Sequence, residues 1–291
     1  DPLIRVPEVK PELSTRRLLT MRWLDGSPLM DYKGAPLEDR NRIAQAMFRA
    51  WWYPFSHYGV IHGDPHLGNY TIFEEGGVPA GINLLDYGCI RTFPTRFVQG
   101  VIDLYKGLLE DDRDRVVHAY ESWGFEGLTD ELIEAMNIWA RFIYGPLLDD
   151  RERTIAEGTT PAEYGRKEAF TVHKILKEKG PVRIPREFVF MDRAAIGLGS
   201  VFMHLGAEIN WYRMFMSLIG DFDVDATEAR QRDLSQRGAA ADVAAALLRP
   251  VLRGGVLDAD PGRRRGQTNR QGGHDRLHGR PLPFQGGGWR R

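Results

Sequence analysis

Residues 59–91 read GVIHGDPHLGNYTIFEEGGVPAGINLLDYGCIR, and three polar residues in this stretch lie at the edges of short apolar runs. Its short apolar runs alternate with turns rich in glycine and proline, a pattern that predicts a loop, a strand, a turn and a second strand. Asn69 precedes the first predicted strand and Asp86 follows the second. We therefore expect a β-hairpin that brings Asn69 close to Asp86, with Asp64 reaching the same place from the loop.

These three polar side chains suit a divalent metal ion and a chain of phosphates. Mg²⁺ prefers hard oxygen ligands, usually one or two carboxylates together with substrate phosphates. Asp86 supplies a carboxylate and Asn69 a carbonyl oxygen, so both are candidate metal ligands. Asp64 is the candidate catalytic residue, with Asn69 beside it, because its carboxylate could accept or orient the proton of an attacking hydroxyl group.

The order of the three residues is that of a protein-kinase phosphoryl-transfer site. There a catalytic Asp is followed five residues later by a metal-binding Asn, and then by an Asp-Phe-Gly whose Asp holds Mg²⁺. This chain has Asp64, Asn69 and an Asp-Tyr-Gly at 86–88. Each piece alone is typical of a turn, so the prediction rests on their order and on the hairpin between them. Gly63 replaces the Arg that pairs with an activation-loop phosphate, and control by phosphorylation of that loop is not expected.

The composition is that of a soluble globular protein. The chain has 291 residues, of which 42% are hydrophobic and 27% charged, enough for one large domain or two modest ones. The net charge of -1 gives no bias toward nucleic acid, and no nucleic-acid partner is expected. Disulfides within the chain are excluded by its single cysteine, Cys89, which we interpret as a small buried hydrophobic residue. No signal peptide is visible, and no uninterrupted apolar run approaches the roughly 20 residues of a spanning helix.

Outside the central stretch the patterns are mainly helical. A strand is predicted over 16–24, and it ends in an Asp-Gly-Ser-Pro turn. Apolar residues then recur at helical spacing through most of the chain to residue 219. A loose helix within 220–248 and a low-order tail rich in Arg, Gly and Pro complete the chain. The predicted helices cover residues 37–57, 95–111, 113–123, 130–148, 161–179 and 184–219.

From about Val6 to Ile219 the chain resembles the C-terminal lobe of the UbiB/AarF ("ABC-one") protein-kinase-like family. Val-Pro-Glu-Val at 6–9, Leu-Ser-Thr at 13–15 and Leu-Leu-Thr-Met at 18–21 match the family, as does the Gly26 turn. The specific core is His-Gly-Asp-Pro-His-Leu-Gly-Asn at 62–69, followed by Leu-Asp-Tyr-Gly at 85–88. An Asp-Arg pair at 192–193 and the helix after it, through Asn210, also resemble the family.

The resemblance implies a mainly α (α+β) fold of the kinase C-lobe type. A helical bundle would carry a short hinge strand and a small β-hairpin with the metal site. The implied domains are a remnant of the N-lobe and hinge over 1–24, the C-lobe over 25–220 and a low-order tail over 221–291. Asp64 would match the catalytic-loop Asp, and Asn69 and Asp86 the metal ligands. Backbone groups of Met21, Arg22 and Trp23 would meet the adenine.

The activity that the resemblance implies is that of an atypical kinase or ATPase that binds ATP and Mg²⁺. It implies a link to ubiquinone biosynthesis or other isoprenoid-quinone lipid handling, in the cytoplasm or peripherally at the inner membrane.

One part of a kinase is missing from the sequence. The only lysines before Asp64 are Lys10 and Lys33, and neither lies in a strand pattern that could present it to the phosphates. We therefore expect weak ATP binding and little turnover by this chain alone.

Two other functions stay open at this point. Small-molecule kinases of the aminoglycoside or choline type share a His-Gly-Asp…Asn loop and a later Asp-x-Gly, although Pro65 and the Leu-Leu-Thr-Met segment argue against them. A non-catalytic, pseudokinase-like module that binds a partner or a lipid is the second. The retained Asp64, Asn69 and Asp86 argue against that reading, and the missing lysine argues for it.

Overall fold

The structure is a computed structural model, and it describes residues 1–15, 17–157, 163, 165–179 and 184–240. Within these residues the fold is mainly helical, as predicted, and it contains two small sheets. The strands are β1 (Ile4–Arg5), β2 (Val60–His62), β3 (Tyr70–Glu75), β4 (Val78–Leu84) and β5 (Ile90–Thr92). The helices are α1 (Leu37–Tyr58), α2 (Thr95–Glu110), α3 (Arg113–Ser122), α4 (Asp130–Tyr144), α5 (Arg166–Lys179), α6 (Arg186–Leu205), α7 (Trp211–Ile219) and α8 (Val224–Ala240).

Helix α1 lies at the centre of the core and delivers the chain to the central stretch. Ile43, Met47 and Trp51 recur at helical spacing and are almost fully buried. Pro54 does not stop the helix, which continues for four more residues. The helix ends at Gly59, whose left-handed backbone (φ 61°) allows its N–H to donate to the Phe55 carbonyl.

The predicted hairpin is confirmed. Strands β3 and β4 pair antiparallel with Tyr70 opposite Leu84, and the turn between them contains Gly76 at φ 61° and Gly77 at φ 81°. Strand β1 adds to the other edge of β4 in parallel. A second sheet, which the patterns did not predict, pairs β2 with β5 just beyond the Asp-Tyr-Gly. The two ends of the central stretch are therefore held together by hydrogen bonds.

The predicted hinge strand over 16–24 is wrong for the described residues of that segment. Met21 forms only an isolated bridge with Val9, and the neighbouring amides of Lys10 and Arg22 donate to the carbonyls of Thr20 and Glu8. The segment folds back on the chain before it and does not join a sheet of several strands.

The long helix predicted over 184–219 is two helices, α6 and α7. Gly206 ends α6 in a left-handed conformation (φ 57°), and its N–H donates to the carbonyls of Phe202 and Met203. Asn210 then begins α7, because its side chain accepts a hydrogen bond from the Arg213 amide at 2.9 Å. The residues between the two helices therefore form a proper C-cap and N-cap.

The low-order tail predicted from residue 221 begins too early, since α8 is packed against the core. Glu228 accepts a hydrogen bond from Thr95 at 2.8 Å, and Gln231 donates to the carbonyls of Tyr58 and Phe93, both at 2.8 Å. The helix thus holds the end of α1 beside the start of α2. Residues 241–291 lie outside the described residues, and the predicted domain limits at 24 and 25 stay predictions.

Candidate functional site

The imidazole of His62 connects the two halves of the central stretch. Its Nδ1 accepts a hydrogen bond from the Asp64 amide at 3.2 Å. The proton of a neutral ring therefore lies on Nε2, which donates to the Asp86 carbonyl at 2.9 Å. One imidazole ring thus separates the backbone of Asp64 from that of Asp86. Trp51 fixes this arrangement from α1, because its indole N–H donates to the His62 carbonyl at 2.8 Å.

Asn69 is tied to the same loop. Its side-chain Nδ2 donates to the Asp64 backbone carbonyl at 2.9 Å, and its own carbonyl accepts from the Leu85 amide at 2.9 Å. The first bond orients the amide, so that Oδ1 is the side-chain atom left for another partner. The structure therefore brings together the three segments that carry Asp64, Asn69 and Asp86.

The Asp-Tyr-Gly at 86–88 forms a tight turn. Asp86 is exposed, and its Oδ1 accepts from the Gly88 amide at 2.6 Å. The Tyr87 hydroxyl donates to the Leu84 carbonyl at 2.8 Å, and burial raises the pKa of Tyr87 to about 12. The aromatic residue therefore anchors the turn to the end of β4 and leaves the Asp86 carboxylate facing outward. Cys89 follows; it is half-buried, less than expected, and its carbonyl accepts from the Gly63 amide at 2.8 Å.

The oxygen atoms of this cluster are of the type that Mg²⁺ binds. Among the described residues, no donor bonds to the Asp64 carboxylate or to the Asn69 Oδ1. The Asp86 carboxylate and the Asn69 amide oxygen, the predicted metal ligands, are hard oxygen atoms of the kind that Mg²⁺ binds together with substrate phosphates. The same part of the chain contains no group of three or more His, Cys, Asp or Glu side chains arranged for a metal. A magnesium ion held here by Asn69 and Asp86 therefore stays a prediction.

The predicted adenine-contacting segment lies on the surface and is attached to the hairpin. Trp23 is 80% exposed, and its indole N–H donates to Asp25 at 2.9 Å. The Asp25 carbonyl in turn accepts from the buried Asn83 side chain of β4 at 3.0 Å. Met21 is half-buried and Arg22 is exposed. The structure joins this segment to the sheet, and whether its backbone meets a base stays a prediction.

Helix α6 packs directly against the loop of Asp64. A Cβ atom at Gly197 would lie 2.6 Å from the Pro65 ring, so only glycine permits this approach. A cleft opens beside this contact, and Asp64, Asp192, Arg193 and His204 line it together with neighbouring residues of both segments. The late helix thus forms one wall of the candidate site.

Two features of this site were missed from the sequence alone. The motif includes His62 without a role of its own, whereas in the structure its buried ring forms a hydrogen bond with the Asp86 carbonyl. Gly197 lies in an apolar helical pattern that gives no sign of a close contact with Pro65. A glycine inside a helix costs stability and usually has a packing reason, which was the available signal.

One described helix is long and apolar enough to cross a membrane by length and composition alone. It is α6, with a mean hydropathy of 1.3, and 39% of the residues in that window are buried inside the protein. The helix is not an uninterrupted apolar run, because Asp192 and Arg193 lie within it. A core helix of a soluble protein passes the same test, so this observation is weak evidence for a membrane span.

Part of the chain is similar to known proteins. A model of the ABC1 atypical kinase-like domain matches residues 1–120. "Atypical kinase COQ8B, mitochondrial" from Rattus norvegicus is 31% identical over 144 residues, which cover 47% of this chain and 27% of that protein. "AarF domain-containing protein kinase 1" from Xenopus laevis is 29% identical over 117 residues, which cover 39% of this chain and 22% of that protein.

A solved structure, the complex of Rv3197 with erythromycin from Mycobacterium tuberculosis, superposes with a TM-score of 0.49 at 18% identity. It covers 74% of this chain and 52% of that one, a likeness too distant to carry an argument. The matches span about a quarter of the length of the two curated relatives. Residues 1–120 include every residue of the predicted catalytic and metal-binding set. Through these residues the chain is similar to the ABC1 atypical kinase-like family.

Proposed function

We propose that this chain forms the C-lobe side of a Mg²⁺–ATP site and serves phosphoryl transfer or ATP hydrolysis. The observation that carries the proposal is the His62 ring, which holds the backbone of Asp64 and of Asp86 on either side of it. Asn69 lies on the same loop through its bond to the Asp64 carbonyl. The similarity of residues 1–120 to an atypical kinase-like domain supports nucleotide use.

Each residue has a distinct role in this proposal. Asp64 accepts or orients the proton of the attacking hydroxyl group or water, since its carboxylate has no donor among the described residues. Asn69 Oδ1 and the Asp86 carboxylate are the ligands for the metal. Mg²⁺ supplies charge neutralisation on the phosphates when it is bound. The backbone of Met21, Arg22 and Trp23 contacts the adenine.

The proposed biological setting is ubiquinone biosynthesis or other isoprenoid-quinone lipid handling. It rests on the family and on relatives with COQ8 and AarF names. Peripheral membrane association is part of the proposal, and the exposed apolar side chains of Ile184, just before α6, and Val189, within it, support it. Liposome flotation of the chain and of an Ile184→Ser, Val189→Ser double variant tests this: weaker flotation of the variant is expected, and equal flotation would contradict it.

The catalytic part is tested by replacing Asp64. A labelled-phosphate assay at millimolar ATP and Mg²⁺ resolves the slow turnover that we expect of this chain. Asp64→Asn should lower the rate by roughly 10²–10⁴, as for loss of a general base, with ATP affinity within a few-fold of wild type. Asp114→Asn, an exposed carboxylate on α3, is the matched control and should leave the rate unchanged.

An unchanged rate in Asp64→Asn would contradict the catalytic role and favour a non-catalytic binding module. The same preparation distinguishes the other enzyme class. Phosphorylation of amino alcohols or aminoglycosides, tested in the same assay, would favour a small-molecule kinase.

A further inference from the structure

A second cavity, separate from the nucleotide site, lies inside the helical bundle. Its volume is about 340 Å³, within the range of small-molecule sites, and residues of α3, α4, α5 and α6 are among those that line it. Its wall is mostly apolar and includes several aromatic rings. Phe188 of α6 lies 5.4 Å from Trp123 and 5.5 Å from Phe125, between ring centroids, and Trp139 completes the wall from α4.

The polar atoms of four lining side chains are already engaged and do not face a ligand. The hydroxyl of Tyr120 donates to Asn137 at 2.9 Å, and that of Tyr144 donates to the Val101 carbonyl at 3.2 Å. The indole N–H of Trp123 donates to the Phe97 carbonyl at 3.0 Å, and that of Trp139 donates to Asp192 at 2.6 Å. These side chains therefore present ring faces and edges to the cavity.

Asp192 is the acidic residue of this wall, which also contains His173 of α5. Its carboxylate is half-buried, and one oxygen accepts the Trp139 indole bond. No basic side chain of the described residues pairs with it, and burial raises the pKa of this carboxyl group. A half-buried carboxylate without a cation costs free energy, and a bound positive charge would offset that cost.

The position of Asp192 matches this requirement. Phe188 and Asp192 are four residues apart on α6 and share one face of the helix, so a group beside the carboxylate also lies near an aromatic face. Aromatic faces attract cations in addition to packing against apolar groups. Asp192 also lines the cleft beside Asp64, which puts it at the boundary between the cavity and that cleft.

We propose that this cavity binds a hydrophobic ammonium compound, whose positive charge pairs with Asp192 and whose apolar body lies against the aromatic wall. The site is independent of the nucleotide, and its test does not involve ATP. A neutral molecule of the same shape fills the cavity but leaves the carboxylate without a cation. Preference for the charged compound is therefore the distinguishing property.

The test uses the full chain and two probes of matched shape, 4-phenylbutylammonium and 4-phenylbutan-1-ol. Calorimetric titration should show the ammonium binding about tenfold tighter than the alcohol. Asp192→Asn keeps the size and an oxygen for Trp139 but removes the charge, so the preference should disappear. Asp225→Asn, an exposed carboxylate on α8, is the control of equal charge change and should keep the preference.

A cavity-filling variant protects the test against a folding defect in Asp192→Asn. Ala195 lines the cavity one turn after Asp192, and Ala195→Leu should weaken both probes several-fold. The proposal is overturned if the alcohol binds as tightly as the ammonium, if Asp192→Asn keeps the preference, if Ala195→Leu binds like wild type, or if neither probe binds at millimolar concentration.

Discussion

His62 donates a hydrogen bond from Nε2 to the backbone carbonyl of Asp86 over 2.9 Å. The same ring accepts the amide of Asp64, and it is 8% exposed. A buried side chain that bonds two loops sets their separation, and in this chain the two loops carry the proposed catalytic and metal-binding carboxylates. His62 is therefore a positioning residue of the site.

Replacing His62 should destabilise the protein and loosen the site. His62→Ala leaves the Asp64 amide and the Asp86 carbonyl without their protein partner, and the free energy of unfolding should fall by about 1–3 kcal/mol. Urea denaturation measures this loss. His118→Ala, an exposed histidine on α3, is the control and should change stability by less than about 0.5 kcal/mol. Equal stability of the two variants would show that the His62 bonds do not hold the loops.

A methyl group at Gly197 should disturb the loop of Asp64. The new Cβ would lie 2.6 Å from the Pro65 ring, and neither the helix nor the proline can yield cheaply. Gly197→Ala should lower the free energy of unfolding by about 1–3 kcal/mol, although alanine favours a helix by about 1 kcal/mol. Chemical denaturation measures whether the free energy of unfolding of this variant is lower or higher than that of wild type.

Gly145→Ala is the matched control for Gly197→Ala. A Cβ at Gly145 meets no atom within 4 Å, and its backbone is right-handed helical, so this variant should be as stable as wild type or more so. If both variants behave alike, α6 does not press on the Pro65 loop as the structure shows.

Asp192 should make stability depend on pH. Burial raises the pKa of its carboxyl group in the folded protein above the ordinary value of 3.8. Below pH 3.8 the carboxyl group is protonated in both the folded and the unfolded protein, so its burial as a charge does not lower the free energy of unfolding. Stability is lost as the pH rises through the raised pKa, because the folded state then has to carry a charge that is poorly solvated.

Asp192→Asn carries no charge at any pH, so the variant should not lose stability as the pH rises through the pKa of this site. The free energy of unfolding of the variant, relative to wild type, should therefore increase between pH 4 and pH 7, and thermal melts at both values measure it. Asp225→Asn, on the exposed side of α8, provides the comparison. A difference between Asp192→Asn and wild type that does not change with pH would contradict the cost of the buried charge.

Local patterns were sufficient for much of the fold. The hairpin could be predicted because β3 and β4 are joined by two glycines that adopt positive φ, and both strands are adjacent in sequence. The predicted strand at 16–24 failed because strand propensity does not identify a partner. Met21 pairs with Val9 of the preceding segment in an isolated bridge, so no sheet forms there.

The break between α6 and α7 shows a second limit. Apolar residues continue at helical spacing across the break, and this periodicity predicted one helix. The left-handed Gly206 ends α6 and the N-cap Asn210 begins α7. Both residues are recognised signals: a glycine often ends a helix, and an asparagine often caps the start of the next one. The function of the His62 ring lay beyond any local pattern, because its partner Asp86 is 24 residues away.

In the proposed function, Asp64, Asn69 and Asp86 serve one metal–nucleotide site. Electron paramagnetic resonance of Mn²⁺, titrated into the chain with a millimolar non-hydrolysable ATP analogue, tests it most directly. Nucleotide-dependent Mn²⁺ binding should be seen in wild type and in Asp64→Asn, and should be lost or weakened at least tenfold in Asn69→Ala and Asp86→Ala. Mn²⁺ binding that is the same in all four proteins would contradict the account.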